Sequence, residues 1–339
     1  MQLSIRLVWP FVKLAPPRER EELIARLNAS LGLSRLQFEA PETRAPLQVA
    51  LDLLSACVAR TGMRDIGLVA ARQLTTEQIG TTEYLARCKA TFGDALKCGA
   101  RCTRLLIDGT HMGLEIRGDL AFVRLWFDSS LVMHEAAYEF LIATWLDTAR
   151  RIARNPELAP LEIHFMFPQP QDLTLHERQF KCKLRFDMPS TQVVLPAHAL
   201  ATPLPGADPT LARFLEQQAN ACLAQLPSCD DYASRVREML SAEIDLRGAT
   251  ASFVARRLGV SVRTLARRLE RENTSYRLLL DEIRKALALR DLSQTLRPIY
   301  DISLQLGFAN RQSFHRAFRR WTGSTAMSYR ETAQQRRSA

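Results

Sequence analysis

The last third of the chain contains one pattern twice, and this repeat constrains the fold more than any other feature of the sequence. Leu258-Gly259-Val260 and Leu306-Gly307-Phe308 lie 48 residues apart, and the polar residues Ser261 and Asn310 that follow them lie 49 apart. In each copy a glycine is placed to end one helix, and Ser or Asn is placed to begin the next after a short turn. The repeat therefore predicts two copies of a helix-turn-helix unit.

The second helix of each predicted unit has an apolar stripe and a polar outer face. The stripe consists of Val262, Leu265 and Leu269 in the first copy, and of Phe314, Phe318 and Trp321 in the second. Arg and Gln side chains hydrogen-bond the edges of guanine and adenine, so the outer face suits the major groove of DNA. The predicted base-contacting residues are Arg263, Ala266, Arg267, Arg311, Gln312, His315, Arg316 and Arg319. The predicted phosphate contacts are Arg256, Arg257, Ser261, Ser313 and Arg320.

Between the two copies, residues 276–292 form an amphipathic helix of about 25 Å. Such a helix separates the two units by a distance that approaches the ~34 Å between neighbouring major-groove faces. One chain could then read two consecutive turns of DNA. The distribution of charge supports a polyanionic partner for the last third. Residues 230–339 contain 21 basic residues (Arg and Lys) and 12 acidic residues (Asp and Glu), whereas residues 1–229 contain 25 basic and 24 acidic residues. The alternative is a helical bundle whose arginines are only solvated.

The first two thirds of the chain are predicted to mix helices and strands. Helical spacing or helix caps occur at 19–31, after Pro46, from Thr91 to Arg101, at 131–154 and at 208–226. Strand patterns occur at 112–117 and 120–127, on either side of Gly118-Asp119, and at 161–167, 181–187 and 192–195. The predicted organisation is an α+β domain at 1–226, a linker at 227–231, an all-α domain at 232–331 and a disordered tail at 332–339.

Several features favour a cytoplasmic protein without a membrane segment. The seven cysteines are odd in number and form no CxxC pair, which favours neither a disulfide framework nor a zinc site. The N-terminus is a poor signal peptide, and the longest uncharged stretch, 188–207, contains four prolines. Cys98 and Cys102 lie one helical turn apart, so a thiol sensor is conceivable, although buried structural cysteines are commoner.

The repeated units resemble the AraC/XylS family of transcription regulators. The second carries LGF at 306–308, SFHRAFRRWTG at 313–323 and YR at 329–330, and the first carries VARRLGVS at 254–261 and LARRL at 265–269. The resemblance covers about residues 235–331 and implies the same base-reading positions as the pattern of exposed residues, except that it does not include Arg319. Two residues depart from the family: Ala326 stands where proline is usual, and Ser303 stands where alanine is usual.

The N-terminal region resembles the arabinose-binding-like sensor domain of one branch of this family, which includes regulators of ornithine utilisation. The resemblance is carried by TFGDAL at 91–96, Phe180 with LRF at 184–186, and LPGADP at 204–209. It implies a small-molecule effector, for which the candidate residues are His134, Glu135 and Tyr138. No metal or cofactor site is expected, and the sequence has no P-loop, dinucleotide fingerprint or GxSxG motif, so no enzymatic activity is expected.

These observations predict a sequence-specific DNA-binding regulator, more specifically an activator that responds to a metabolite. Its expected partners are promoter half-sites in double-stranded DNA, RNA polymerase, a small-molecule effector and a second copy of itself. Two alternatives stay open at this point. One is a ligand-independent, oligomerising DNA binder, and the other is an enzyme or thiol-transfer protein with an accessory DNA-binding domain.

Overall fold

The computed structural model describes residues 2–31, 43–127, 133–225, 232–243 and 245–338. In the first two thirds the helices are α1 (Trp9–Leu14), α2 (Pro17–Leu31), α3 (Leu47–Thr61), α4 (Ile66–Ala71), α5 (Thr76–Ile79), α6 (Thr81–Arg87), α7 (Phe92–Leu106), α8 (Glu135–Ala153), α9 (Thr174–Phe180) and α10 (Pro209–Gln225). The strands are β1 (Gln2–Ser4), β2 (Arg44–Pro46), β3 (Thr110–Arg117), β4 (Leu120–Phe127), β5 (Glu162–His164), β6 (Lys183–Arg185) and β7 (Thr191–Pro196). Short 3₁₀ helices cover Ile5–Leu7, Ala197–Ala201 and Leu246–Gly248.

A five-stranded mixed sheet organises this part of the chain, in the order β3-β4-β7-β5-β6. The strands pair antiparallel except for β5 and β6, which are parallel. The predicted hairpin forms between β3 and β4, where Arg117 pairs with Leu120 and Gly118 adopts a φ of 57°. Because strand side chains alternate between faces, Met112 and Val123 point to one side of the sheet, and His111 and Arg124 point to the other.

The inner face of the sheet packs against α7 and α8 around an aromatic core. Phe165, Phe167 and Phe180 are fully buried there, and the Phe165 and Phe167 ring centroids lie 4.9 Å apart. Thr91 caps α7 by accepting a hydrogen bond of 3.2 Å from the Asp94 amide, as the sequence predicts. The α+β class expected for this region is confirmed.

The last third is entirely helical apart from its turns. Its helices are α11 (Tyr232–Ala242), α12 (Ala251–Arg257), α13 (Val262–Arg271), α14 (Tyr276–Gln294), α15 (Ile299–Gln305), α16 (Arg311–Thr322) and α17 (Ala326–Ser338). They enclose a hydrophobic core that is separate from the core of the sheet. The pairs α12–α13 and α15–α16 are the two predicted helix-turn-helix units, and α14 joins them, so the predicted fold class is confirmed here too.

Some local predictions differ from the structure. The predicted tail lies largely in α17, because Thr332 and the residues around it continue the helix and the Thr332 hydroxyl donates to the Ser328 carbonyl. Val262, expected in the buried stripe of α13, is 45% exposed because it occupies the first helical position, ahead of the packed turn. The predicted linker at 227–231 and the cysteine at 229 lie outside the described residues. Within the described ranges, no helix is both long and apolar enough to span a bilayer.

Candidate nucleic-acid interface

Each helix-turn-helix unit is built by a left-handed glycine followed by a capped helix. Gly259 and Gly307 have φ values of 67° and 74°, a conformation that glycine adopts without a steric cost. The Ser261 hydroxyl accepts from the Thr264 amide at 3.1 Å and starts α13, and the Asn310 side chain accepts from the Ser313 amide at 2.8 Å and starts α16. The two turns therefore orient α13 and α16 by the same local chemistry.

The first of these helices, α13, buries one face and exposes the face predicted to contact bases. Leu265 and Leu269 are almost fully buried in the helical core. Arg263, Ala266 and Arg267 are all exposed. Neither arginine has an ion-pair partner among the described residues. The structure thus brings the three predicted base-contacting residues of this helix together on one solvent-facing surface.

The second of these helices, α16, has the same arrangement with more aromatic packing. Phe314 and Phe318 are fully buried, and Phe308 packs edge-on against Phe314 with ring centroids 5.5 Å apart. The predicted base-contacting side chains that are exposed here are Arg311, Gln312, Arg316 and Arg319. His315 is half-buried, and its Nε2 accepts from Arg311 Nε at 3.0 Å. That hydrogen bond ties the first two turns of α16 together on the outer face.

The predicted phosphate contacts flank these two helices, and some of them have partners within the chain. Arg257 donates to Glu243 at 2.8 Å, and Arg320 donates to Asp281 at 2.7 Å, while both guanidinium groups stay more than half exposed. Exposed ion pairs of this kind are weak, so both arginines can exchange a carboxylate for a phosphate. Arg256 is exposed on α12 with no partner in the described part of the chain, and Ser261 and Ser313 lie in the first turns of the recognition helices.

Arg284 joins the connector helix to the second unit, a role that sequence reasoning missed. From the middle of α14 its guanidinium donates to the Leu306 carbonyl at 2.8 Å and to the Gly307 carbonyl at 3.0 Å. It also lies over the Phe308 ring, 4.8 Å from the centroid. At the other end, Glu272 accepts from the Tyr232 and Ala233 amides and holds the start of α11 against the first unit. An arginine within an amphipathic helix gives no sequence signal that it will cap a distant turn.

The structure separates the three predicted effector residues. His134 caps α8 by accepting from the Ala136 amide at 3.1 Å, and Glu135 borders a cleft between the sensor and α14 and α17. Tyr138 is only 3% exposed and packs between Phe127 and Phe167, and burial raises its pKa to about 12. His134 and Glu135 therefore share one surface, whereas Tyr138 belongs to the sensor core.

Two other groups of reactive side chains are buried in the sensor. A hydrogen bond from Cys98 lowers the pKa of the Cys102 thiol to about 7, and neither side chain is more than 4% exposed. His176 lies among phenylalanine rings, with its Nε2 2.8 Å from Glu139 Oε1 and its Nδ1 3.8 Å from Asp65. Asp65, Glu139 and His176 have potential metal-ligand atoms within 4.8 Å of one another, a proximity that the sequence did not indicate.

Among the described residues, the sensor and the helical part of the chain touch at several places; one of them is the hydrogen bond of 3.1 Å from the Leu296 amide to Asp187. On the outer face of the sheet, His111 Nδ1 lies 3.6 Å from Glu238 of α11 and lowers the pKa of that carboxyl. Beside it, burial lowers the pKa of the Arg124 guanidinium to about 10. At the end of α14, Gln294 donates to the Met133 carbonyl just before α8. The helical domain is thus connected both to the sheet, through α11, and to the segment that precedes α8, through α14.

Comparison with known proteins assigns both parts of the chain. Residues 24–204 match the family described as "Arabinose-binding domain of AraC transcription regulator, N-term", and residues 254–332 match a helix-turn-helix domain. An ornithine utilization regulator of Pseudomonas aeruginosa is 31% identical over 328 residues, covering 91% of this chain and 94% of that protein. The regulator VirS of Mycobacterium tuberculosis is 25% identical, covering 82% of each.

Among solved structures, the transcriptional regulator CdpR from Pseudomonas aeruginosa aligns with a TM-score of 0.41 at 22% identity, over 91% of this chain and 97% of that one. The matched relatives are transcription regulators rather than enzymes. With a sensor-type N-terminal domain and a helix-turn-helix C-terminal domain both matched, the chain belongs to the AraC family of DNA-binding transcription regulators.

Proposed function

We propose that one chain reads two neighbouring segments of a promoter, with α13 in one major groove and α16 in the next. The observation that carries this proposal is the pair of capped helices whose predicted base-contacting arginines are exposed and have no acidic partner among the described residues. The base-reading set is Arg263, Ala266, Arg267, Arg311, Gln312, His315, Arg316 and Arg319. The phosphate-contacting set is Arg256, Arg257, Ser261, Ser313 and Arg320.

The length of α14 supports simultaneous contact with both grooves. Its 19 residues correspond to about 28 Å, close to the ~34 Å that separates equivalent major-groove faces. The Arg284 hydrogen bonds fix the second unit to this helix, and the Glu272 hydrogen bonds fix α11 to the first unit. The spacing between recognition helices is therefore a property of the rigid domain and not of a flexible tether.

Selection of bound duplexes from a random library by the full chain tests the proposal. We expect a bipartite site whose two conserved segments are centred about 10 bp apart. Arg267→Ala and Arg316→Ala should each weaken binding by roughly 1–3 kcal/mol, about 5- to 150-fold. Each should also relax the sequence preference in a different segment, because the two arginines project from different recognition helices.

A matched control is Arg178→Ala, which removes an exposed arginine of the sensor domain. This variant should bind the selected site like the parent protein. The assignment is overturned if Arg267→Ala and Arg316→Ala behave like the control, or if both relax the same segment. Arg256→Ala serves as the phosphate variant: it should weaken all sequences equally and reduce the slope of log affinity against log salt by about one.

We further propose that the protein is a cytoplasmic activator that forms a homodimer, binds a small metabolite in its N-terminal domain and contacts RNA polymerase at the promoter. The support is the sensor-type domain and its contacts with the helical domain, two of which are at Glu238 and at Gln294. A ligand that prefers one arrangement of these contacts shifts the population of DNA-binding-competent molecules. We propose that His134 and Glu135 take part in this response, since they border the contact between Met133 and Gln294.

Transcription by purified RNA polymerase from a template carrying the selected site tests this part. Metabolites are added one at a time, beginning with L-ornithine because one relative is named an ornithine utilization regulator. A metabolite-dependent rise in transcript supports the proposal. Repression of a promoter that is active without the protein contradicts the activator assignment, and occupancy that depends only on protein concentration favours a ligand-independent DNA binder.

A further inference from the structure

A cavity of about 140 Å³ lies inside the sensor domain, between α7, α8 and the inner face of the sheet. Its wall is formed mainly by apolar side chains, among them Phe92, Leu96, Val123, Leu141 and Trp145. A cavity of roughly 150 Å³ with a similar aliphatic and aromatic lining stays free of water and binds benzene. The space is therefore the right size for a molecule with a single ring.

Two hydroxyl groups at this cavity lack hydrogen-bond partners. Thr110 Oγ1 and Thr144 Oγ1 are buried, and neither has a donor or acceptor within reach in the described part of the chain. Thr110 as a whole is only 1% exposed. A buried hydroxyl without a hydrogen-bond partner is unfavourable, so a guest that carries a hydroxyl or carbonyl group gains a hydrogen bond in addition to its contacts with the apolar wall.

The charged side chains that border the cavity are already neutralised or point elsewhere. Glu83 accepts from Arg151 at 2.9 and 2.7 Å and from the Thr76 hydroxyl at 2.8 Å, so both its oxygens are occupied. Arg124 belongs to the strand behind the cavity, but its guanidinium lies over the Trp126 ring on the opposite face of the sheet, 4.7 Å from the centroid. A charged guest would thus lose its hydration without gaining a counter-ion.

We infer that this cavity binds a small neutral molecule, about the size of a substituted benzene, that carries one hydroxyl or carbonyl group directed at Thr110 and Thr144. The inference deepens the proposed effector response and rests on it for its regulatory meaning. It excludes zwitterionic amino acids and sugars as guests of this cavity. The former bring two charges, and the latter bring more hydroxyl groups than the two threonines can pair.

The elements around the cavity are the same ones that touch the DNA-binding helices. Thr144 and Trp145 lie on α8, and the segment just before α8 accepts the hydrogen bond from Gln294 at its Met133 carbonyl. Thr110 lies on β3, next to His111, which contacts Glu238 on the opposite face. A guest that changes the packing between α8 and β3 therefore acts on both contacts at once.

The test measures the affinities of the full chain for benzyl alcohol and toluene, by calorimetric titration supported by thermal shift. These probes are similar in shape and differ in one hydroxyl group. We expect both to bind, and Thr144→Val to lower the affinity ratio of benzyl alcohol to toluene about 3- to 10-fold, the worth of one hydrogen bond. Thr110→Val is expected to act in the same direction.

The matched control is Thr103→Val, which removes a hydroxyl from the same wall. That hydroxyl already donates to the Gly99 carbonyl at 2.7 Å, so the ratio should stay at the parent value. Ala149→Met fills the cavity and should abolish binding of both probes. If this variant does not fold, the threonine series alone decides the outcome.

The inference is overturned if neither probe binds the parent protein, or if the affinity ratio is the same in Thr144→Val, Thr110→Val and Thr103→Val. Binding of DNA to the selected site is measured in parallel with and without benzyl alcohol. Normal DNA binding with no probe binding refutes the cavity site alone. Probe binding with the expected threonine dependence, but without any change in DNA affinity or transcription, keeps the site and refutes its role as the effector site.

Discussion

The two glycines at equivalent turns of the helix-turn-helix units offer an internal comparison of backbone strain. Both have positive φ, so replacing either by alanine costs about 1–2 kcal/mol for the left-handed conformation. Their surroundings differ. A Cβ at Gly259 would meet open space, whereas a Cβ at Gly307 would come within 2.7 Å of the Leu246 carbonyl oxygen and 3.0 Å of the Arg284 guanidinium.

The predicted consequence is that Gly307→Ala is much more destabilising than Gly259→Ala. The backbone carbonyl of Leu246 cannot move aside as a flexible side chain would, and overpacking of this kind adds about 1–3 kcal/mol. We expect a loss of about 1–2 kcal/mol for Gly259→Ala and about 2–5 kcal/mol for Gly307→Ala. Displacing Arg284 also loosens α16, so Gly307→Ala should lose DNA affinity as well.

Hydrogen exchange of the full chain is the appropriate assay, because it measures opening of the helical domain without assuming that both domains unfold together. Leu279, Ile283, Leu287 and Leu292 of α14 are buried in the core, and their amides report the opening free energy. Equal protection in the two variants would refute the reasoning. A larger loss in Gly259→Ala would refute it more strongly, since that variant meets no neighbouring atom.

Two further predictions concern the sensor core and the last helix. Burial raises the pKa of Glu139 above its ordinary value, so its contribution to stability is present below the ordinary glutamate pKa and is lost as pH rises through the raised value. Glu139→Gln should therefore gain urea resistance relative to the parent protein as pH rises from the ordinary glutamate pKa through the raised value. Ala326→Pro should raise stability by about 0.4–1 kcal/mol in a urea titration, because Ala326 is the first residue of α17, where proline fits.

Each of these predictions has a clear contrary result. A difference between Glu139→Gln and the parent protein that stays constant with pH would show that Glu139 does not titrate in this range. A loss of stability in Ala326→Pro would show that the amide of Ala326 has a partner in the folded protein. Ser303→Ala is a suitable companion variant, because the Ser303 hydroxyl is satisfied by the Tyr300 carbonyl at 2.7 Å and its removal should change little.

The helical third was predictable because its signals are local. The capping residues, the glycines and the apolar stripes act within a few positions of one another. Ser261, Asn310 and Gly307 therefore predict the positions of the turns from the sequence alone. The β3–β4 hairpin was predictable for the same reason, through Gly118. Val262 is an exception to the predicted burial of the apolar stripe. It occupies the first position of α13, which lies outside the turns that pack against the core.

Contacts between distant segments were not predictable from the sequence. The short helices α4, α5 and α6 have too few residues to show a period, and Tyr138 packs against Phe127 and Phe167, two rings from distant segments of the chain. The parallel pairing of β5 with β6, the cavity beside Thr144 and the contact between Gln294 and Met133 depend on how those elements pack. No pattern within a window of a dozen residues encodes them.

The attachment of the sensor to the helical domain at separate points has a consequence for chimeric regulators. The sheet touches α11 through His111 and Glu238, and the start of α8 touches the end of α14 through Met133 and Gln294. Under the proposed effector response, exchanging sensor domains between family members transfers a new ligand response only if the complementary surfaces on the helical domain are transferred with it. A fusion joined at the linker alone would keep the helix-turn-helix units but lose the contacts through which we propose that a ligand acts.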